Sequence, residues 1–336
     1  ARAPLLRGYQ ALGSGLAHGS RIAARARNAV ANGPSGPYKC VIGVDPDGLA
    51  LAQAVARGAP IGYYSLELLL SYELGTAAER LLKAKELELS RRAVFVVVQD
   101  EARGRLLADD NRIPMPQVVL VPNAPPGPAR RAPSSYWHTR FALPTGMRVV
   151  LHSGSLGDWT GIEQIVESAA AWPSGWVLVV HTRYDAESSA YVDGLRQRAD
   201  PSRVHFSLRP VPRQDYDALI DGADVGLAFY VSSGESAFTQ SNVQTIGLSS
   251  GKLAYYLRAG LPVIVNRAAS ISSLIRSSGC GVAVEYASDI GAALGELSVR
   301  YDAVSNAACG FFETHLNFRR AFDEVLRRID AIPEAA

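Results

Sequence analysis

The feature that most constrains this chain is an alternation of short, continuous apolar runs with stretches of helical periodicity. In the first half the runs are CVIGVD (40–45), IGYYS (61–65), AVFVVVQ (93–99) and VVLVPN (118–123). The first leads into a helix through Ala56, the second into a long helix through Arg91, and the third into DEARGRLLADD. In the second half they are VVLHS (149–153), WVLVVH (176–181), VHFS (204–207), VGLAFY (225–230), PVIVN (262–266) and GVAVE (281–285). Runs that are apolar at every position, rather than at every second one, belong to strands buried on both faces. That is the situation of a parallel sheet covered by helices. The second series has helical patterns at 161–171, 186–198, 213–222, 252–259, 269–277 and 288–298, which makes a full doubly wound sheet. The first shows four strands and none ahead of residues 1–37, which read as helix and loop. A doubly wound domain normally begins with a strand and a glycine-rich turn, so the N-terminal domain is expected to be incomplete at its start.

A length of 336 residues with 48% hydrophobic content supports two such cores. The expected division is a Rossmann-like domain at 1–143, a second at 144–313 and a C-terminal helix at 314–336. Residues 122–147, rich in Pro and Ala, form the connection, with SSYWHTRFAL as one helix within it. The final helix carries an apolar stripe of Phe318, Phe322, Val325, Leu326 and Ile329.

Charge and cysteines narrow the function. A net charge of +2 with 20% charged residues gives no field directed at nucleic acid. Cys40, Cys280 and Cys309 are far apart with no CxxC or Cys/His metal spacing, and read as reduced thiols of a cytoplasmic protein. No apolar run approaches the ~20 residues of a membrane span. Arg21, Arg25 and Arg27 cluster near the start; a solvated face is the ordinary reading, and peripheral contact with an anionic membrane surface is the other.

Residues 242–266, NVQTIGLSSGKLAYYLRAGLPVIVN, hold the sharpest local signal. Ser249 and Ser250 are N-cap residues, Leu253 and Leu257 give an apolar stripe, Gly260 ends the helix and Pro262 starts a strand. Lys252 sits in the first turn, facing the positive end of the helix dipole, an arrangement that disfavours a cation unless an anion is near. A phosphate would supply it, held by backbone N–H groups, hydroxyls and the ammonium. The alternative is a lysine that bends into solvent.

Ligands of open α/β sheets bind beyond the carboxyl ends of the strands. Those loops hold His152, Ser153, Gly154 and Ser155; His181, Thr182 and Arg183; Arg209 to Val211; Ser232 to Ser249; and Glu285. With two such halves facing each other, the crevice between them is the expected site. HSGSLGDWTG is not a GxGxxG motif, and His152 and His181 at strand ends read first as structural residues. Asp45 and Asp47 in VDPDG are acid/base candidates or an ordinary turn, and Glu67 is a catalytic candidate or a helix cap.

The blocks KLAYYLRAGLPVIV, VVLHSGSLGDWTGIEQIVESA and QDEARGRLLADDNRIPMPQVVLVPNAP resemble bacterial nucleotide-sugar-dependent glycosyltransferases of family 4, of the two-domain GT-B fold. YYSLEL with the 80–110 stretch is similar to a subgroup found with surface polysaccharides. The resemblance implies a donor nucleotide diphosphate-sugar held by the C-terminal half, a saccharide or lipid-linked acceptor held by the N-terminal half, and a last helix crossing back to the first domain. It implies retention; no DxD-like pair stands in a position to hold a metal ion, so no metal or other cofactor is expected. Carried over, Gly154 and Ser155 approach the donor phosphates, Arg209 to Val211 meet the nucleobase, and Ser249, Ser250, Gly251 and Lys252 fall at the diphosphate. The chain departs from the pattern at four places. Ser155 and Thr160 stand where relatives have Arg and Lys, and Gly247 and Tyr255 stand where they have a pair of glutamates. Lys252, helped by Arg183 or Arg209, is left to neutralise the leaving diphosphate. Asn242, Thr245 and Ser249 are expected to take over sugar or ribose contacts, with His181 nearby, while Asp45 and Glu67 join Lys252 as catalytic candidates.

Three readings follow. The first is an active, metal-independent glycosyltransferase. The second is a degenerate member that binds a nucleotide-sugar or a partner without turnover. The third is a sugar-nucleotide epimerase, which would need acid/base groups from Asp45, Glu67, His152 and His181.

Overall fold

The computed structural model describes Asn28 and residues 38–232 and 240–333. The Arg21, Arg25 and Arg27 cluster and positions 233–239 of the 232–249 loop lie outside the described residues. The chain forms two compact units, one of residues 38–122, 240–242 and 318–333 and the other of 123–232 and 243–317.

The first unit runs β1 (Val41–Val44), α1 (Asp45–Val55), β2 (Ile61–Tyr64), α2 (Ala77–Ser90), β3 (Phe95–Val98), α3 (Glu101–Asn111) and β4 (Val118–Leu120). The strands pair in parallel in the order β1-β2-β3-β4. β3 shows why its sequence is apolar throughout. Val96 and Val98 face a cluster with Leu49, Leu68, Leu70 and Leu107, while Phe95 and Val97 face another with Val119, Val121 and Val325. The helix expected directly after β2 begins only at Ala77, where Thr76 and Glu79 form a capping box. Before it, Leu68, Leu69 and Leu70 are buried in an extended stretch, so the apolar run fills the core without a helical turn.

α2 and α3 are joined by a buried ionic network. Lys83, 2% exposed, places Nζ 2.9 Å from Glu86 Oε2, 2.5 Å from Asn111 Oδ1 and 2.5 Å from Asp110 Oδ2. Tyr63 Oη donates to Glu86 Oε1 at 2.6 Å, and Asp110 accepts from the Ser71 amide. Lys83 and Glu86 lie on α2 and Asp110 and Asn111 on α3, and Tyr63 of β2 and the Ser71 amide tie the network to the rest of the unit.

The second unit contains α4 (Tyr136–Phe141), β5 (Arg148–Ser153), α5 (Ile162–Ser168), β6 (Trp176–His181), α6 (Ala190–Arg198), β7 (Val204–Ser207), α7 (Tyr216–Asp221) and β8 (Val225–Ala228). There follow α8 (Gln240–Gln244), α9 (Gly251–Arg258), β9 (Val263–Asn266), α10 (Ala269–Ser278), β10 (Gly281–Val284), α11 (Ile290–Val299), α12 (Tyr301–His315) and α13 (Phe318–Asp330). Residues 240–242 of α8 and the whole of α13 belong to the first unit. The six strands pair in parallel in the order β7-β6-β5-β8-β9-β10. Val149 and Leu151 of β5 pack on one core cluster and Val150 on the other, so this sheet too is covered on both faces.

Three expectations shift. The boundary lies at Pro122/Asn123 rather than after residue 143, because Trp137 of α4 is fully buried in the second unit. It stacks on Phe141 at 5.9 Å, and its Nε1 donates to the Leu219 carbonyl at 2.8 Å. Residues 301–315 form a helix to which the sequence reading assigned no element; Val304, Ala308 and Phe312 are its buried stripe, spaced by four among small residues. In α13, Val325 packs with Phe95 and Val97 of the first unit, while Leu326 of the expected stripe is 46% exposed.

Gly226 of β8 makes room for the fully buried Tyr256, since a β-carbon there would lie 2.3 Å from the ring. Tyr256 Oη accepts from the Ser153 amide at 2.8 Å and donates to the Leu151 carbonyl at 3.0 Å, tying α9 to the end of β5. Gly226→Ala is expected to lower stability by about 1–3 kcal/mol through overpacking. A urea titration with an unchanged midpoint would refute this.

Candidate functional site

In the order β7-β6-β5-β8-β9-β10 all strands run parallel, but successive strands are added to one side of β5 up to β7 and to the other side from β8 on, and ligands of open α/β sheets bind at the carboxyl ends of the strands where that order reverses. β5 ends in His152, Ser153 and the turn at Gly154, whose φ of 155° suits a residue without a β-carbon. β8 leads into Tyr230. Between them α9 begins, and it is Ser250 that caps it: Oγ accepts from the Leu253 amide at 3.2 Å and pairs with Tyr230 Oη at 2.5 Å. Ser249, expected to share the cap, instead donates Oγ to the Ile246 carbonyl.

Lys252 does not bend into solvent. Its stem lies along Gly154, where a β-carbon would sit 3.5 Å from Cε and 3.8 Å from Nζ. Nζ lies 4.8 Å from the centroid of the Tyr230 ring and is buried without a hydrogen-bond partner among the described residues. This reverses the usual lysine arrangement, in which the stem is buried and the tip is wet. Burial pushes the amine down to about 7, because the charged form has lost its water.

Two more unpartnered nitrogens belong to this end of the sheet, Nδ1 of His152 and Nε2 of His181. His152 is fully buried with Nε2 3.4 Å from the Ser155 carbonyl. A carbonyl only accepts, so Nε2 carries the hydrogen and Nδ1 is a bare acceptor in the neutral ring. Burial first, and then the charge of Lys252, hold His152 well below its ordinary range. His181 is also fully buried, its Nδ1 3.1 Å from both the carbonyl and the hydroxyl oxygen of Ser207. Burial pushes it down to about 4. Both histidines are thus neutral and withdrawn from solvent, which does not suit the acid/base exchange of the epimerase reading.

The other candidates fall into two groups. Beyond the β6 end, Arg183 folds onto the ring of Tyr184 at 5.1 Å; beyond the β7 end, Arg209 is exposed with Nε 3.8 Å from Glu187, and Val211 packs partly buried on the core. Ser155 brings no cation, and the Thr160 hydroxyl is spent on the Gly157 carbonyl at 2.6 Å. Asp45, Glu67 and Asn242 lie in the first unit.

There Asp45, at the end of β1 with the unusual φ of 57°, accepts from the amides of Leu66 and Glu67 at 2.8 and 3.0 Å. It fixes the loop that carries Glu67. Glu67 caps no helix; its carboxylate is 3.8 Å from the buried Arg103, and 43% of its side chain is exposed. Desolvation pushes that carboxyl up to about 7 against the pull of Arg103, a shift that the remaining solvent contact limits. Asn242 is a correction to the sequence reading. Its amide accepts from the Leu68 N–H at 2.8 Å and returns a bond to the Leu68 carbonyl at 2.9 Å, and Arg103 donates to it at 2.6 Å. It is a buried strut of the first unit, not a group of the donor site. Among the described residues no cluster of three or more His, Cys, Asp or Glu is arranged to hold a metal ion, and no helix is long and apolar enough to cross a membrane.

Solved structures share this fold over most of the chain. HepE of Anabaena, in complex with UDP-glucose, is 14% identical with a TM-score of 0.69, covering 92% of this chain and 82% of its own. Sucrose-phosphate synthase of Thermosynechococcus elongatus is 14% identical with a TM-score of 0.68, covering 93% and 78%. WaaG, a glycosyltransferase involved in lipopolysaccharide biosynthesis, is 15% identical with a TM-score of 0.58, covering 96% and 97%. The fold is GT-B, two parallel-sheet units of Rossmann type. Residues 185–311 match the family model described as glucosyltransferase 3-like, C-terminal domain, and the chain is a glycosyltransferase. No curated protein matches it by sequence.

Proposed function

We propose that the protein transfers a hexosyl group from a UDP-sugar to a saccharide or lipid-linked acceptor, with retention and without a metal ion. The observation that carries this reading is the buried Nζ of Lys252, unpartnered among the described residues, in the first turn of α9, at the reversal of the strand order. An ammonium held there beside the amide groups of a helix start is matched by a diphosphate, whose negative charge grows as the sugar leaves. UDP is put forward because HepE was solved with UDP-glucose. In this reading the acceptor is held by the first unit, with Glu67 and Asp45 at the carboxyl ends of its strands.

One specific observation supports a second reading, that of a nucleotide-sugar-binding protein without turnover. Ser155, Thr160, Gly247 and Tyr255 offer no cation or carboxylate at the four positions where the sequence departs from similar enzymes. A thermal-shift series with UDP, GDP, ADP, dTDP and CMP tests the nucleotide. Ligand at 100 times its Kd is expected to add ~2.7 kcal/mol of stability, with UDP giving the largest shift. No shift with any of them would remove the donor site. Release of UDP from UDP-glucose that depends on an added acceptor separates transfer from binding alone.

A further inference from the structure

Among the described residues, three buried side-chain nitrogens without a hydrogen-bond partner lie at the carboxyl end of the second sheet. Two of these flank the turn at Gly154: Lys252 packs against Gly154, and His152 stands two residues before it at the end of β5, where the charge of Lys252 bears on its ring. A buried polar atom with no partner is costly, and a folded protein retains it where a ligand completes it. His152 holds the Ser155 carbonyl, and Ser155 itself brings no cation to this turn, so the imidazole and Lys252 are the basic groups beside it.

We propose that His152 is a second, proton-loaded cation of the donor diphosphate site, taking up a proton from solvent when a nucleotide diphosphate binds. The proposal rests on the donor-site reading above. In the empty protein the ring is neutral, with its hydrogen on Nε2. On binding, Nδ1 gains a proton and becomes a donor to a phosphate oxygen, while Nε2 keeps its bond to Ser155. No covalent bond changes. The charged and titratable groups bearing on His152 are Lys252 from α9 and His181 from β6; Arg140 of α4 bears on His181. All are cationic when protonated, so an anion is what lets the ring charge. Lys252 and His152 then report in different pH ranges. Lys252 in the empty protein loses its proton at about 7, so below that it is charged with or without ligand. A pH dependence of binding on the acid side of neutrality belongs to His152.

The test is isothermal titration of the full chain with UDP-glucose between pH 5.5 and 8.5. Its diphosphate is a diester with no proton to exchange in this range, unlike UDP. For the wild type, Kd is expected to rise as pH is raised over the whole range, about tenfold per unit below neutrality, where His152 alone takes up a proton, and more steeply above it, where Lys252 does so as well. In His152→Gln the slope below pH 7 should vanish while a slope above it remains. Ser155→Arg, which supplies a fixed cation, should flatten the acid side without touching His152, and should restore affinity in the His152→Gln background. An acid-side slope that survives in His152→Gln, or is absent from the wild type, overturns the proposal. Should the glutamine variant fail to fold, Ser155→Arg alone decides: an unchanged acid-side slope overturns it. Failure of the wild type to bind UDP-glucose at any pH would overturn the donor-site reading itself, and this proposal with it.

Discussion

Lys83→Met is expected to destabilise the first unit by about 3–5 kcal/mol, the range for removing one partner of a buried ion pair. Methionine fills nearly the same volume, so the loss is electrostatic. Glu86 and Asp110 would be left facing each other's charge with their ammonium removed, and Asn111 would lose the cation it binds. Burial already pushes the Glu86 carboxyl up, and Lys83 is the main influence opposing it. Without the lysine Glu86 rises further above its unfolded value. The folded state then binds the extra proton, so the variant should regain stability as pH falls and lose it as pH rises through that value. Urea unfolding at pH 5 and pH 8 measures both effects. A loss under 1 kcal/mol, or no pH dependence beyond wild type, would show that the network contributes little. Lys83→Met combined with Glu86→Gln and Asp110→Asn should recover much of the loss, since no unpaired charge then remains.

This network also marks the limit of sequence reading. Lys83, Glu86 and Asp110 look like ordinary surface charges of two helices; only the packing of α2 with α3 buries Lys83 and Glu86 and partly covers Asp110. The fold itself was legible because each strand is apolar on both faces, and the two halves of β3 and of β5 show that both faces are used. The connection was misplaced because its composition is that of a linker, while one tryptophan, Trp137, decides to which unit it belongs. Of the candidate site, Lys252 and Gly154 were found through helix-dipole and turn arguments that act locally. His152 reads from sequence as structural, since a lone histidine at a strand end gives no signal that its second nitrogen is unpartnered. Asn242 was misassigned for the converse reason. Its neighbours in sequence lead to the donor loop, whereas its amide is engaged by Leu68, 174 positions away in the chain.

Lys252→Met is expected to act with opposite signs on the empty and the liganded protein. In the empty protein Nζ is buried with no hydrogen-bond partner among the described residues, a situation that costs roughly 1–3 kcal/mol for a buried polar group. Methionine keeps the contact with Gly154 and Tyr230 without that penalty, so the empty variant should unfold at a higher temperature than wild type. The pH dependence has a definite sign. The folded amine titrates at about 7 and the unfolded one near its ordinary value of 10.5, so the unfolded chain binds more protons between those limits. Wild-type stability should therefore rise with pH from 7 to 10.5, and the advantage of the variant should be full below 7 and fade across that interval. With UDP-glucose the order reverses. The variant loses a charge-assisted hydrogen bond to the diphosphate worth about 1.5–3 kcal/mol, which is roughly 10- to 150-fold in affinity, and turnover should fall at least as far because the phosphate gains charge as the sugar departs. Melting temperatures with and without ligand, together with Kd, separate these effects. A lysine that merely lay on the surface would give neither: the variant would melt with wild type and bind as tightly, and Lys252 would be removed from the site.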